Sequence, residues 1–316
     1  MRRPTVFVLC CLLAGCAADT APPSDPPPGA SDPTSIDAPT GTEVPGQAPS
    51  SSEAEERLAR AALATTAAGT ARTTFSATLA GLPGRAEPVT LTGTGEADFA
   101  TGRMRSVIDL SAALERRSPE VDPSWETISV DEVVYLRAPM LTELFEIATP
   151  WVRIDPSSEL LGAAGGLQSL AGSDSGAPLA MLAGVEPGSA RDLGPAAVAG
   201  TAGRHLQASV DLVAAVEAVA ADQPEPQRRA LESFVEKLGA RRLSVDAFLD
   251  GDDRIRGLVY EHALPAAAGG GSQRVELGYA DFGARVSIDP PPSSLVTDLA
   301  GALGPGTGLG TGSPSG

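Results

Sequence analysis

The stretch from Trp125 to Ile154 limits most severely what this chain can fold into. Trp125-Glu126-Thr127-Ile128-Ser129-Val130 and Val133-Val134-Tyr135-Leu136-Arg137 are runs of β-branched and aromatic residues parted only by Asp131-Glu132. A third, Trp151-Val152-Arg153-Ile154, follows Pro150. Runs this short, punctuated by acidic pairs and proline, predict strands of an antiparallel sheet. The spacing predicts Val130, Val134 and Leu136 on one side of the pleat and Asp131, Tyr135 and Arg137 on the other. One face is then dry and the other wet.

The same period of two recurs on both sides of this hairpin. Phe75, Ala77 and Leu79 alternate with Ser76 and Thr78, and Val89 and Leu91 with Thr90 and Thr92 in a strand continuing through Gly93 and Gly95 to Phe99. Met104, Ser106, Ile108 and Leu110 share a face of the next run. Further on, Ala202 to Leu212, Leu243 to Leu249, Ile255 to Leu264 and Val275 to Tyr279 alternate in the same way, with Asp250-Gly251-Asp252-Asp253 as a turn. Gly93 and Gly95, on one face, predict a bend or a close approach of another segment to the backbone.

Helical spacing is scarcer. Ser52 with Glu53, Glu55 and Glu56 supplies an N-cap and an acidic first turn ahead of Leu58, Ala61, Ala62 and Leu63. Pro224 to Gly239 carries Ala230, Leu231, Phe234, Val235 and Leu238 on one face. Leu141 to Phe145 predicts a short helical or lid-like segment, and Pro178 begins a turn or two ending near Gly184. Ser294 to Leu303 predicts a last short helix after Pro290-Pro291-Pro292. Together these elements predict an α+β domain: one curved antiparallel sheet of roughly ten strands, covered by helices on its apolar side.

The ends have another character. Arg2 and Arg3 precede a short apolar segment, Val6 to Leu13, and Leu13-Ala14-Gly15-Cys16 resembles the bacterial lipobox. That resemblance implies a signal peptide over 1–15 and a mature chain whose Cys16 carries fatty-acyl groups such as palmitate. The Pro/Ser/Thr-rich residues of 16–52 cannot bury enough apolar surface to order themselves, so this stretch is read as a tether. The folding domain is expected over 53–303 and a Gly-rich disordered tail over 304–316.

Composition excludes several function classes. Cys10, Cys11 and Cys16 are the only cysteines, so the domain has neither disulfides nor a cysteine-ligated metal. Net charge is −17, and loss of a leader with two arginines and no acid lowers it by 2 to −19. Such a surface repels phosphate backbones, and no nucleic-acid partner is expected. His205 and His262, the only histidines, sit in expected strands. Gly172-Ser173-Asp174-Ser175-Gly176 has Asp where a nucleophile elbow needs Ser. In the Asp250 turn, Arg254 and Ile255 stand where an EF-hand wants a ligand and Gly. No enzyme activity, cofactor or metal is expected.

The order of motifs resembles the actinobacterial lipoproteins of the LppX/LprG type, with their LolA/LolB-like fold. The resemblance rests on the lipobox and tether, Gly93-Thr94-Gly95-Glu96-Ala97-Asp98-Phe99, Val133 to Arg137 followed by Pro150 to Asp155, Leu243 to Tyr260, and Tyr279-Ala280-Asp281-Phe282-Gly283 leading to the proline triplet. It implies a LolA-like half-barrel with helices across its concave side. It further implies an apolar cavity for lipid or glycolipid acyl chains, carried or presented within the cell envelope. The longer tether, the Ala/Gly-rich middle and the glycine tail depart from the family pattern.

Candidates to line such a cavity are Phe75, Leu91, Ile108, Val134, Leu136, Val245, Val259 and Leu277. The expected protein is a monomer on the outer face of the cell membrane, anchored by the lipid on Cys16, with room for an envelope protein partner. The alternative is a non-catalytic interaction or sensor module with the same fold and no cargo.

Overall fold

A computed structural model describes residues 50–113, 122–131, 133–144, 146–154, 176–198, 201–222, 225–264 and 270–298. The expectations for Cys16, the leader, the tether as far as residue 49, the Gly172 loop as far as residue 175 and the tail fall outside these residues.

The chain opens with helix α1 (Ser51–Ala67). Its N-cap is Ser50, two residues before the expected Ser52, because the reciprocal capping box needs Glu at the third helical position, and Glu53 stands there relative to Ser50. Strands β1 (Thr70–Ala80), β2 (Val89–Asp98), β3 (Arg103–Asp109), β4 (Ser124–Val130), β5 (Val133–Arg137) and β6 (Trp151–Ile154) follow, with α2 (Pro139–Leu144) between the last two. Then come α3 (Ala177–Ala180), a 3₁₀ turn (Met181–Gly184), β7 (Arg191–Val198), β8 (Thr201–Asp211), α4 (Leu212–Asp222), α5 (Glu225–Leu238), β9 (Arg242–Leu249), β10 (Ile255–Ala263) and β11 (Ser272–Ala280). A 3₁₀ turn (Ser293–Leu295) leads to β12 (Val296–Asp298).

All twelve strands form one curved, unclosed sheet in the order β12-β6-β5-β4-β3-β2-β1-β11-β10-β9-β8-β7. Every pairing is antiparallel except β12 with β6. Two meanders, β1–β6 and β7–β11, meet where β1 pairs with β11 over nine residue pairs. The face that bears the helices, here the concave face, holds two apolar clusters. One lies under α1, α3, α4 and α5, against β7–β11, and includes Leu206, Val210, Val245, Leu249 and Leu258. The other runs from β1 to β6 and includes Leu91, Ile108, Trp125, Leu136 and Val152.

The structure differs from the sequence reading in several elements. Two strands beyond the expected ten are β7, interrupted in sequence by Gly194-Pro195, and β12. In the described part of the helix expected from Ser294 to Leu303, a 3₁₀ turn and a strand stand instead, because the β-branched pair Val296-Thr297 reaches the free edge of β6, and 299–303 lie outside the described residues. Helix α4 was not anticipated: its Ala/Val sequence has no amphipathic period, and its one signal is Asp211, whose carboxylate accepts from Val213 and Ala214 N–H. Val130 also changes sides. The two-residue turn pairs Val130 with Val133, so the inward parity switches from odd positions in β4 to even ones in β5. Val134 and Leu136 face inward, while Val130 packs with Ile128, Tyr135 and Ile288 on the convex face.

One side chain joins α1 to the sheet. The fully buried Thr65 hydroxyl donates to Ala61 O at 2.6 Å and accepts the Ile255 N–H at 2.8 Å, filling the gap left where β10 begins. Thr65→Val keeps the shape and strands that N–H, so it is expected to lower stability by about 1–3 kcal/mol in urea unfolding, with α-helical circular dichroism retained.

Candidate functional site

Seven of the eight expected lining residues face the concave side, and the register shows how. Phe75 stands opposite Leu277 on one flank and Gly93 on the other, and Gly93 stands opposite Ile108. Leu91 lies beside Ala77, while Val134 and Leu136 meet Ile154 and Val152. Val245 is separate, beneath the helices opposite Tyr260. Phe75 packs against both apolar clusters and marks the seam between them.

Val259 is the exception. It pairs with Glu276 and Asp246 on the convex face. The apolar triplet Leu258-Val259-Tyr260 gives no period of its own, and a register shift between Ile255 and Gly257 reverses the parity that Ile255 sets. Leu258 and Tyr260 therefore point inward in its place.

A hollow of about 40 Å³ lies at the seam. Phe75, Ile108 and Leu277 from the expected set line it, together with Thr73, Met104, Ser106 and Tyr279, and Pro178 of α3 closes it from the helix side. Alternation puts Ser106 on the same face as Ile108 and Pro178 reads as the start of a turn, but no local signal brings the two together. Gly93 belongs to the wall, and Gly95 is its neighbour on the same face. A Cβ on Gly93 would stand 2.7 Å from Val107 O, and one on Gly95 would stand 2.5 Å from Arg105 O and 2.7 Å from Thr73 Oγ1. The close approach expected from these glycines is thus made by the backbone of β3.

Charge is kept away from the hollow. Asp192, with its side chain 2% exposed, meets Arg204 at 2.6 Å and Arg57 of α1 at 3.6 Å, at the β7–β8 edge. Glu126, on the convex face, takes the Arg105 Nε–H at 2.8 Å and Arg137 at 3.3 Å. His205 is also convex: its ring stacks on Phe248 at 4.5 Å and meets Asp246 at 2.8 Å. In the Asp250 turn, Arg254 neutralises both Asp250 and Asp252. His262 faces inward beside Gln273, and burial holds its imidazole below the ordinary histidine pKa against opposing hydrogen bonds from Ala263 and Gln273. Burial likewise pushes the Tyr260 phenol far above its usual range.

No family model matches the chain, and no curated protein matches it. Among solved structures it is similar to LprF from Mycobacterium bovis, with 15% identity over 77% of this chain and 99% of that one and a TM-score of 0.40. It is also similar to the Mycobacterium tuberculosis lipoprotein LppX, with 10% identity over 76% and 100% and a TM-score of 0.43. A third similar structure is the Pseudomonas aeruginosa MucA/MucB complex, with 13% identity over 72% and 58% and a TM-score of 0.28.

Two outcomes follow from this geometry. Gly95→Ala forces a methyl into backbone oxygen and is expected to cost about 1–3 kcal/mol in urea unfolding. Gly251→Ala, with nothing within 4 Å, serves as the control. Because the His262 pKa is depressed by folding, the unfolded chain takes up that proton first as pH falls below about 6.5. Stability is therefore expected to rise with pH through the window just below 6.5 and level off above it. Unfolding midpoints measured across pH for wild type and His262→Gln should show that component missing from the variant.

Proposed function

We propose that the protein is a membrane-anchored extracytoplasmic lipoprotein whose concave face binds lipid or acyl chains, carrying or presenting them without catalysis. The anchor is the acylated Cys16, and 16–52 is the tether that holds the domain off the bilayer. The observation that carries this reading is the apolar face itself. From Val152 through Leu136, Trp125, Ile108, Phe75 and Leu277 it crosses the sheet without a charged side chain, and an acyl chain needs apolar contact of that extent.

Size favours a second reading. A hollow of 40 Å³ holds roughly three waters and cannot accept a whole chain as it stands. A lipid enters only if α3 and its 3₁₀ turn lift from the seam. Without that movement the protein is an interaction module with no cargo.

Native mass spectrometry separates the two. The chain from Cys16 onward, made in a bacterial cytoplasm where Cys16 is not acylated, is expected to carry lipid at near-unit stoichiometry, released on denaturation and recovered in organic extract. A mass that stays free of lipid after incubation with membrane lipids would establish the second reading.

A further inference from the structure

The segment after β11 is fastened at its two ends and held by little between them. At its root, Gly283 N–H donates to Thr70 O and the Thr70 hydroxyl donates to Ala284 O. At its tip, β12 pairs with β6 through Val296↔Trp151, Thr297↔Val152 and Asp298↔Arg153. The hydroxyls of Thr149 and Thr297 meet there at 2.7 Å, and Arg153 meets Asp298 at 3.0 Å. Of the residues from Arg285 to Leu295, Ile288 alone is buried. From Asp289 to Leu295 the hydrogen bonds stay within the segment, and Leu295 is left 43% exposed.

The path of this segment requires a reversal. β11 and β6 run in the same direction, so the chain returns along the sheet and turns back before β12 starts beside Trp151. Pro290-Pro291-Pro292 is a stiff, extended arm, because each ring fixes φ and each proline biases the residue ahead of it away from helix. The reversal is left to the 3₁₀ turn Ser293–Leu295, closed by Leu295 N–H on Pro292 O at 2.8 Å and by Val296 N–H on Ser293 O. A short, tight hinge invites the exchange of an identical segment between chains. The contacts that seat β12 come from Thr149 and β6 and none from the hinge, so a strand supplied by another copy makes the same contacts.

We propose that β12 is an exchangeable strand: two copies of this chain associate by straightening the Ser293–Leu295 turn and laying β12 of each along β6 of the other. The partner is a second copy, recognised by a parallel three-residue ladder, the Thr149–Thr297 hydroxyl pair and the Arg153–Asp298 ion pair. The exchanged pair keeps the β6 edge of each copy covered, whereas a single opened copy leaves it bare. A strand on a short linker has an effective concentration on the order of millimolar at its own site, and a second copy competes as its concentration approaches that value. The inference holds with or without a cargo.

The test uses the chain from Cys16 onward with Cys16→Ser, so that no native thiol remains, and adds Thr149→Cys with Thr297→Cys. The 2.7 Å between the native hydroxyls suits a disulfide at this pair. Oxidised glutathione is added at about 10 μM and at about 1 mM protein, and the products are separated on a non-reducing gel. In the closed chain the bridge forms within one chain, and in the exchanged pair it joins two. Monomer is expected at the lower concentration and covalent dimer at the higher, with the 149–297 bridge found in the dimer by peptide mass mapping. Ser294→Pro drives Ser293 out of the helical region and opens the turn, so light scattering without any added cysteine is expected to show association about tenfold tighter than in wild type. Bridges confined to single chains at about 1 mM, or wild type and Ser294→Pro both monomeric at that concentration, would overturn the exchange. A dimer without the 149–297 bridge would place the contact elsewhere and overturn it as well.

Discussion

The structure depends on the ladder between β1 and β11. Each meander is made of neighbours in sequence and closes cheaply, but the register from Arg72↔Ala280 to Ala80↔Ser272 joins residues some two hundred positions apart. Closing a loop of that length costs about 5 kcal/mol in chain entropy. Nine residue pairs offset it, reinforced by Gly283 N–H donating to Thr70 O and by the Thr70 hydroxyl donating to Ala284 O. The seam of the concave face lies on this ladder, since Phe75 and Leu277 are partners in it. The candidate site therefore exists only once the longest-range contact has formed.

Alternation made most of the strands legible, and where it failed the reason was parity. Within a strand the period of two is enough to sort faces. Across a two-residue turn or a bulge the sorting must be reset, and the residues that reset it are not apolar. A pleat read straight through the Asp131 turn puts Val130 inward, and one read through Ile255-Arg256-Gly257 puts Val259 inward, because nothing in those residues announces the irregularity. Helix α5 was readable from its own stripe, whereas α4 was not, because a helix that is apolar nearly all round has no face to detect. The hollow could not be read at all. Its wall combines β1, β2, β3 and β11 with Pro178, and that conjunction is a property of the topology.

An open sheet must also protect its edges. At one edge β7 contains Pro195, which donates no hydrogen bond, and a register shift between Asp192 and Gly194 that bends the strand. At the other, the segment after β11 crosses the convex face, where Val286 and Ile288 pack on Ile128, Val130, Tyr135 and Trp151. It then lays β12 along β6, with Thr149 and Thr297 hydroxyls 2.7 Å apart and Arg153 paired with Asp298 at 3.0 Å. The proline triplet thus belongs to a strap that closes an edge. The motif that supported the family resemblance is explained by sheet protection, independently of any cargo.

The two halves of the concave face differ in how they are filled. Against β7–β11, Leu179, Met181, Leu206, Leu212, Leu231 and Leu249 are fully buried and interlock with α1, α4 and α5, so this half is a packed core. Helix α1 contributes the small side chains of Ala54 and Ala61 with Leu58, and Arg57 and Thr65 fasten it further through Asp192 and the Ile255 N–H. Between the packed half and the β2–β6 half stand Phe75 and the short α3, the latter four residues long with no side-chain cap on its first turn. A helix that short has little stability of its own and holds its place through what it covers. That place is secured by burial: Ala177, Pro178 and Leu179 are buried, and Met181 and Leu182 of the turn that follows belong to the same core. The element that closes the hollow is thus an extension of the packed half, and the seam is the line along which that core meets the β2–β6 cluster.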